Sequence, residues 1–416
     1  MKLKLLNTCF DAKIQISSSK SESNRALMIN AYAGNILHIT NLSDADDTVL
    51  LSKLLSEIHL SENSGQEVII DCHNAGTVYR FLLTYLANKP GKWVLTGSER
   101  MKQRPVNDLV ATLIELGADI RYIENSGFPP LLVTGKILSG GSTAVSIEKS
   151  SQFASSLIMA APVWTNGIQL ELTGNPSSMP YLDMTLNMMK LCGADVVRRD
   201  ELVIVSPVPY TQAELSISAD WSGAAFWFEM VALSVDGRLY LEGVSLKSDQ
   251  GDRVLVDFFK KLGVDCKENP GGLLIWKLGD MTDEIQFNLR DFPDLLPALA
   301  VTCAGLGVKA FFSGLENLVI KESNRTKAIQ QELFKVGVRC DMPSIGELII
   351  HSSTIKYSES DSCIVFESYD DHRMAMALAP LVLRLGKLQI NRSEAVSKSY
   401  PGFWSELLKT NAVSID

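Results

Sequence analysis

LIELGADI (113–120), MMKLCGADV (188–196), FFKKLGVDC (258–266) and LFKVGVRC (333–340) carry one pattern four times. Each reads as the end of an amphipathic helix, a glycine suited to the left-handed position that closes a helix, and the start of a strand. The glycines are Gly117, Gly193, Gly263 and Gly337, at intervals of 76, 70 and 74 residues. A period that long exceeds a solenoid repeat and marks a larger β/α unit.

Around these segments lie more apolar helices rich in small residues. They begin near Gly76 (VYRFLLTYLA), Gln152 (FASSLIMAAPV), Trp221 (SGAAFWFEMVALS), Pro293 (DLLPALAVTCAG) and Arg373 (MAMALAPLVLRLG), with KSESNRALMINAYAG after Ser19 as a sixth. A helix apolar on nearly every face has to be buried in a bundle, and the more amphipathic helices, starting with DADDTVLLSKLLSEI at 44–58, belong further out. Between helices run strand-like stretches: EVIIDC, KWVLTG, LLVTGK, IQLELTG, LVIVSP, RLYLEGV, LLIWKLG and KAFFSG. The start of the chain, MKLKLLNTCFDAKIQI, reads as one alternating strand. The predicted fold is α/β (α+β) and two-lobed. It has six repeated β/α units, three per lobe, with buried helices faced by sheets. One lobe spans 18–218, and the other is discontinuous, 1–17 with 219–416.

The 416 residues are too many for one ordinary core and fit two domains. With 46% hydrophobic and 21% charged residues and no apolar run of transmembrane length, the composition is that of a soluble, cytoplasmic globular protein. The net charge of −9 argues against general affinity for nucleic acid or anionic membranes. Seven widely spaced cysteines without a C-x-x-C pair read as reduced thiols, and the five histidines lack metal-ligand spacing, so no metal is expected. Neither G-x-x-x-x-G-K-[ST] nor G-x-G-x-x-G follows a strand, which leaves no bound cofactor to expect.

Against that acidic balance, basic and polar turns precede the helices: Lys20-Ser21…Arg25, Asn74-Ala75-Gly76-Thr77, Arg104, Lys321-Glu322…Arg325, His372-Arg373 and Lys398, with Asp294 among them. Helix N-termini present free N–H groups and a positive dipole end, so they favour anions. Repeated this often, the pattern predicts a cleft between the lobes for one or two polyanionic small molecules. Taken singly, Asp294 reads more readily as a helix cap, and Lys20 and Lys398 as solvated surface lysines.

SSSKSESNRA (17–26), NAGTVYR (74–80), ERMKQRP (99–105), SSQF (150–153), SMPYLDMTLNMMK (178–190), DFPD (291–294), KESNR (321–325), DDHRMAM (370–376) and SKSYPGF (397–403) resemble, collinearly, the 5-enolpyruvylshikimate-3-phosphate synthase family. That resemblance implies a 3-phosphoshikimate 1-carboxyvinyltransferase of the shikimate pathway, on the route to chorismate and the aromatic amino acids. The enolpyruvyl group of phosphoenolpyruvate would pass to the 5-hydroxyl of shikimate 3-phosphate through a tetrahedral ketal, releasing phosphate. Glyphosate would take the place of phosphoenolpyruvate, and the enzyme would act as a monomer. By the same resemblance, Lys20, Ser21, Arg25, Ser150, Ser151, Gln152, Ser178, Tyr181, Asp294, Asn317 and Lys321 would hold shikimate 3-phosphate. Lys20, Asn74, Gly76, Arg104, Gln152, Arg325, Arg373 and Lys398 would hold phosphoenolpyruvate, with Gly76 leaving room for the ligand against the backbone. Lys20, Asp294, Glu322 and His372 are the catalytic candidates, His372 also being readable as a structural hydrogen-bonding residue. The two substrates together bring about five to six negative charges, which Lys20, Arg25, Arg104, Lys321, Arg325, Arg373 and Lys398 can balance.

Three positions depart from the family pattern. Ser17-Ser18 stands where Pro-Gly is common, which predicts a less rigid hinge. Phe81 replaces a frequent proline after Arg80. Asn324 stands where an aspartate is familiar, which predicts an Arg325 less neutralised. Two rival readings are the related transferase acting on UDP-N-acetylglucosamine, disfavoured because ERMKQRP lacks its loop cysteine, and a non-catalytic anion-binding scaffold.

Overall fold

The computed structural model describes residues 1–61, 66–355 and 363–415. Its contacts divide the chain into a continuous unit, Lys20–Ile217, and a discontinuous one made of Met1–Ser19 with Ser218–Asp416. Each has its own hydrophobic core, and no buried residue belongs to both.

All four repeat glycines adopt the left-handed conformation their helix ends require, with φ between +79° and +95°. Each closes an amphipathic helix and opens the edge strand of a sheet. Glu67–Asp71, Gly91–Thr96, Leu131–Gly135 and Asp119–Tyr122 form one sheet in that order. The first pair is parallel and the rest antiparallel. Gly141–Ser146, Ile168–Thr173, Leu202–Val205 and Val196–Arg199 repeat the arrangement, and a parallel pair, His38–Thr40 with Glu214–Ser216, joins the two ends of the continuous unit.

In the discontinuous unit the same order holds for Cys9–Gln15, Asp236–Glu242, Gly272–Lys277 and Val264–Asn269. It holds again for Glu284–Asn288, Lys309–Ser313, Leu348–Ile350 and Cys340–Asp341. The last sheet runs Ile364–Glu367, Lys387–Asn391, Lys2–Leu5, Val413–Ile415, so its third place is taken by the start of the chain. The opening stretch is therefore two strands in two different sheets. Asn7 makes the break: its side-chain oxygen accepts from the Cys9 amide at 3.0 Å, an Asx turn that ends the alternation.

Buried helices stand behind the sheets. Every residue of Trp221–Leu233 and of His372–Leu378 is buried, and Leu296–Leu306, Gly76–Ala87 and Gln152–Ala160 each leave a single residue less than buried. Asp46–Ser61 and Asn107–Glu115 bury only one face, as amphipathic helices do. Where the chain passes between the units, Ser18 bridges Ala219 antiparallel, the Ser19 amide donates to the Ser218 carbonyl at 2.8 Å, and the Asp220 amide to the Ser17 carbonyl at 2.9 Å. Ser17-Ser18 is thus tied into a two-stranded crossing, which opposes the looseness its sequence predicts. Among the described residues, no helix is long and apolar enough to cross a membrane.

Candidate active site

In the discontinuous unit, four elements converge on one cluster of charge. Asp294 lies in the 3-10 turn Pro293–Leu295, Arg325 opens the helix Arg325–Phe334, Arg373 is second in His372–Leu378, and Lys398 ends the turn Ser393–Lys398. Asp294 Oδ1 accepts from Arg325 Nη1 at 2.7 Å and Oδ2 from Arg373 Nη2 at 2.9 Å, with Lys321 Nζ at 3.6 Å. Its carboxylate is engaged by these side chains, and Asp294 lies inside the turn, whose N-cap residue is Phe292. Glu322 joins Arg325 Nη2 at 3.1 Å to Lys398 Nζ at 3.4 Å. Burial works against ionisation of Asp294, but Arg373, Lys321 and Arg325 together outweigh it and hold the carboxyl well below the usual range.

Arg325 is only 1% exposed, and Asp371, 0% exposed, takes Nε at 2.8 Å and Nη2 at 3.3 Å. Burial would lower the Arg325 pKa, yet Asp371, Asp294 and Glu322 overcome it and raise the pKa above its ordinary value. Arg325 is therefore not short of counter-charge with Asn324 beside it. Asn324 instead caps the helix, its side-chain oxygen accepting from the Lys327 amide, and three other carboxylates surround Arg325. His372 is buried, with Nδ1 3.8 Å from Asp371 Oδ1. Asn317 sits buried in the turn Glu316–Ile320, just before Lys321.

The continuous unit holds a second set. Lys20, the first residue of Lys20–Tyr32, has a side chain only 13% exposed and pairs with Asp47 at 3.2 Å. Lys398 is likewise 8% exposed, so neither lysine is a solvated surface residue. Arg25 is fixed by the Thr185 hydroxyl at 2.6 Å and the carbonyls of Ser21 and Tyr181 at 2.9 and 3.1 Å. Its guanidinium lies over the rings of Phe81 and Tyr181, so Phe81 supports this cation. Burial pulls the Arg25 guanidinium down to about 10, which still leaves it charged at neutral pH.

The Gln152 amide is oriented at both ends, accepting from Arg80 Nη1 at 2.7 Å and donating to the Thr77 hydroxyl at 2.9 Å. Ser150 accepts from the Gln152 amide nitrogen at 3.3 Å, and Ser151 precedes the helix. Ser178 takes a left-handed conformation, φ 59°, immediately before Met179–Leu191. Asn74 lies in the turn between Glu67–Asp71 and Gly76–Ala87. A side chain at Gly76 would bring its β-carbon to 2.6 Å from the Arg104 guanidinium carbon. The space that Gly76 leaves is occupied by Arg104 in this structure, where the sequence suggested room for a ligand.

The motif residues thus fall into two groups, one per unit. Their partners Asp371, Asp47, Thr185 and Phe81 were not singled out as site residues from sequence. Asp371 in DDHRMAM and Thr185 in SMPYLDMTLNMMK stand within quoted motifs, Asp47 within the quoted helix DADDTVLLSKLLSEI, and Phe81 enters only as a departure from the family pattern.

Solved structures place the fold among enolpyruvyl transferases. An EPSP synthase from Acinetobacter baumannii superposes with TM-score 0.74 at 21% identity over 100% of both chains. The enolpyruvyl transferase NikO from Streptomyces tendae gives 0.76 at 14% identity, covering 99% of this chain and 98% of that one. The family profile for EPSP synthase (3-phosphoshikimate 1-carboxyvinyltransferase) spans residues 7–407. The 3-phosphoshikimate 1-carboxyvinyltransferase of Bacteroides fragilis strain YCH46 is 41% identical over 399 residues, 96% of this chain and 95% of the relative. That of Vibrio campbellii is 32% identical, covering 95% of this chain and 96% of its own. The chain belongs to the EPSP synthase family. It is a transferase that moves the enolpyruvyl group of phosphoenolpyruvate to shikimate 3-phosphate, in the shikimate pathway to the aromatic amino acids. These matches disfavour both the UDP-N-acetylglucosamine enzyme and the inert scaffold.

Proposed function

We propose that the discontinuous unit carries the proton transfers of this reaction. Asp294 takes the proton of the 5-hydroxyl as its oxygen attacks the central carbon of phosphoenolpyruvate. When the substrate anions draw Arg325 and Lys398 away from it, Glu322 takes up a proton from solvent. It delivers that proton to the methylene carbon, giving a tetrahedral ketal that is never attached to the protein. When the carbon–oxygen bond to phosphate breaks, Glu322 recovers a proton from the new methyl group and the enolpyruvyl ether is formed. The observation that supports this division is that Asp294 and Glu322 share Arg325 while each also holds cations of its own. Substrate phosphate and carboxylate groups compete for those cations, and a carboxylate relieved of cationic partners becomes a stronger base.

Lys321, Arg325, Arg373 and Lys398 serve as the anion partners in this unit, Lys398 steadying the departing phosphate, and Lys20 serves as an anion partner in the continuous unit. Arg25, Ser21, Ser150, Ser151, Gln152, Ser178, Tyr181 and Asn317 receive shikimate 3-phosphate, and Asn74 and Arg104 receive phosphoenolpyruvate. Glyphosate, an anion at both ends, competes with phosphoenolpyruvate. His372, buried 3.8 Å from Asp371, is structural and moves no proton. The enzyme works as a cytoplasmic monomer, which light scattering at assay concentration tests.

Asp294→Asn and Glu322→Gln keep shape and remove basicity. Each should lower kcat by at least about 100-fold while calorimetry finds shikimate 3-phosphate bound within about threefold of wild type. A loss confined to affinity would make these carboxylates structural.

A further inference from the structure

Arg325 is braced by three carboxylates of unequal exposure. Asp294 and Glu322 are 16% and 11% exposed, whereas Asp371 is fully enclosed. Asp371 alone grips the guanidinium through two nitrogens, Nε at 2.8 Å and Nη2 at 3.3 Å. The rest of its hydrogen-bonding capacity is also committed. Oδ2 accepts from the Ser323 hydroxyl at 3.0 Å, and Oδ1 from the Arg373 amide at 3.0 Å, which makes Asp371 the cap of His372–Leu378.

One carboxylate therefore ties together the segment before Arg325, the guanidinium itself, and the helix start that carries Arg373. We propose that Asp371 is a positioning residue for the transfer reaction, the permanent counter-ion of Arg325 that leaves Asp294 and Glu322 free to change partners when substrate anions arrive. This rests on the roles given above to Asp294 and Glu322.

The physical reason is charge balance around a buried cation. A guanidinium at 1% exposure needs a fixed anion, since stranding it would cost several kcal/mol. Without Asp371, Arg325 would have to keep Asp294 and Glu322 as its permanent partners, and both would be held back from proton transfer. The charged groups around Arg325 are Asp294, Lys321, Glu322, Asp371, His372, Arg373 and Lys398, contributed by every element that enters the cluster. Of the anions among them, Asp371 is the one with no exposed surface.

The test uses the full chain with phosphoenolpyruvate and shikimate 3-phosphate, comparing wild type, Asp371→Asn, Asp371→Glu, Ser323→Ala and Glu322→Gln. Asp371→Asn keeps the shape and removes the charge. It should lower kcat by about 100-fold or more, raise KM for phosphoenolpyruvate more than KM for shikimate 3-phosphate, and move the acidic limb of the kcat profile to lower pH. The shift follows because removing an anion leaves the remaining carboxylates facing more net positive charge. Asp371→Glu should recover part of the rate.

Ser323→Ala loosens Asp371 through one hydrogen bond and should show the same pattern at about a tenth of wild-type kcat. It carries the test alone if Asp371→Asn does not fold. A uniform loss of kcat with both KM values and the pH profile unmoved would overturn the proposal by reducing Asp371 to scaffolding. So would an Asp371→Asn enzyme as active as wild type. If Glu322→Gln is itself fully active, the assignment of proton-transfer roles has failed; if it is inactive while Asp371→Asn is normal, only the present inference has.

Discussion

Gly76 shows why a motif residue can be legible while its reason is not. The sequence singles it out within NAGT, and the natural inference is a gap kept open for substrate. The structure fills that gap with the guanidinium of Arg104, which a β-carbon would meet at 2.6 Å, too close without a shift. Arg104 is 3% exposed and cannot swing freely into water. Gly76→Ala should therefore displace the cation first and the ligand through it. Overpacking of this kind costs about 1–3 kcal/mol, so KM for phosphoenolpyruvate and the inhibition constant of glyphosate should both rise by about 10- to 100-fold. Arg104→Lys should imitate the effect. A Gly76→Ala enzyme whose KM is unchanged while only glyphosate binding weakens would restore the open-gap reading. The same limit applies to the ion pairs: KESNR and DDHR name Arg325 and Arg373 as site residues. That Asp371 pairs with a cation 46 positions earlier is set by tertiary packing, which no local pattern records.

At the level of elements, alternation and helix burial were the strong signals. All eight of the strand-like runs form strands, because an apolar face against a buried helix imposes a period of two. Gly141–Ser146 and Glu284–Asn288 are edge strands with exposed polar positions; GSTAVS carries little apolar pattern, while EIQFN alternates strictly but over only five residues and is not among the runs read as strands. The helix Trp221–Leu233 was legible for the opposite reason, being apolar all round. Its one acidic residue, Glu229, is 0% exposed, and neither carboxyl oxygen has a hydrogen-bond partner among the described residues. Burial alone pushes its pKa well above the ordinary 4.5. The folded protein thus keeps the proton that the unfolded chain releases. Stability is fully present below the unfolded pKa and drains away as pH rises from there toward the folded one, by about 1.4 kcal/mol per pH unit at most. Glu229→Met, close in volume and without the ionisable group, should be more stable than wild type. Its advantage in thermal unfolding should be small near pH 5 and larger near pH 8. An advantage that does not change with pH would mean that Glu229 has a partner in solution.

The whole molecule is a run of similar sheets with one seam. The continuous unit sits in the chain between the strand Cys9–Gln15 and the buried helix Trp221–Leu233, two elements of a single β/α unit. Its own ends are joined by the parallel pairing of His38–Thr40 with Glu214–Ser216, and its core draws on no residue outside 20–217. The discontinuous unit depends on the first nineteen residues in two places. Cys9–Gln15 pairs along its full length with Asp236–Glu242, and Lys2–Leu5 lies between Lys387–Asn391 and Val413–Ile415. Leu3, Phe10, Ile14 and Ile16 are all buried in that unit's core. A fragment of residues 20–217 should therefore unfold cooperatively by itself, while a fragment of 218–416 should show no cooperative transition, lacking an interior strand of one sheet and an edge strand of another. Leu3 lies opposite Ile415 in antiparallel register, so a short polar linker from the end of the chain to its beginning would close a hairpin without moving either strand. The permuted fragment, 218–416 followed by that linker and 1–19, should recover a cooperative transition visible by circular dichroism and dispersed amide resonances. Cooperative folding of 218–416 without the opening segment would show that the seam contributes little. Failure of the permuted form, with 20–217 folding normally, would show that the second core also needs the first to be present.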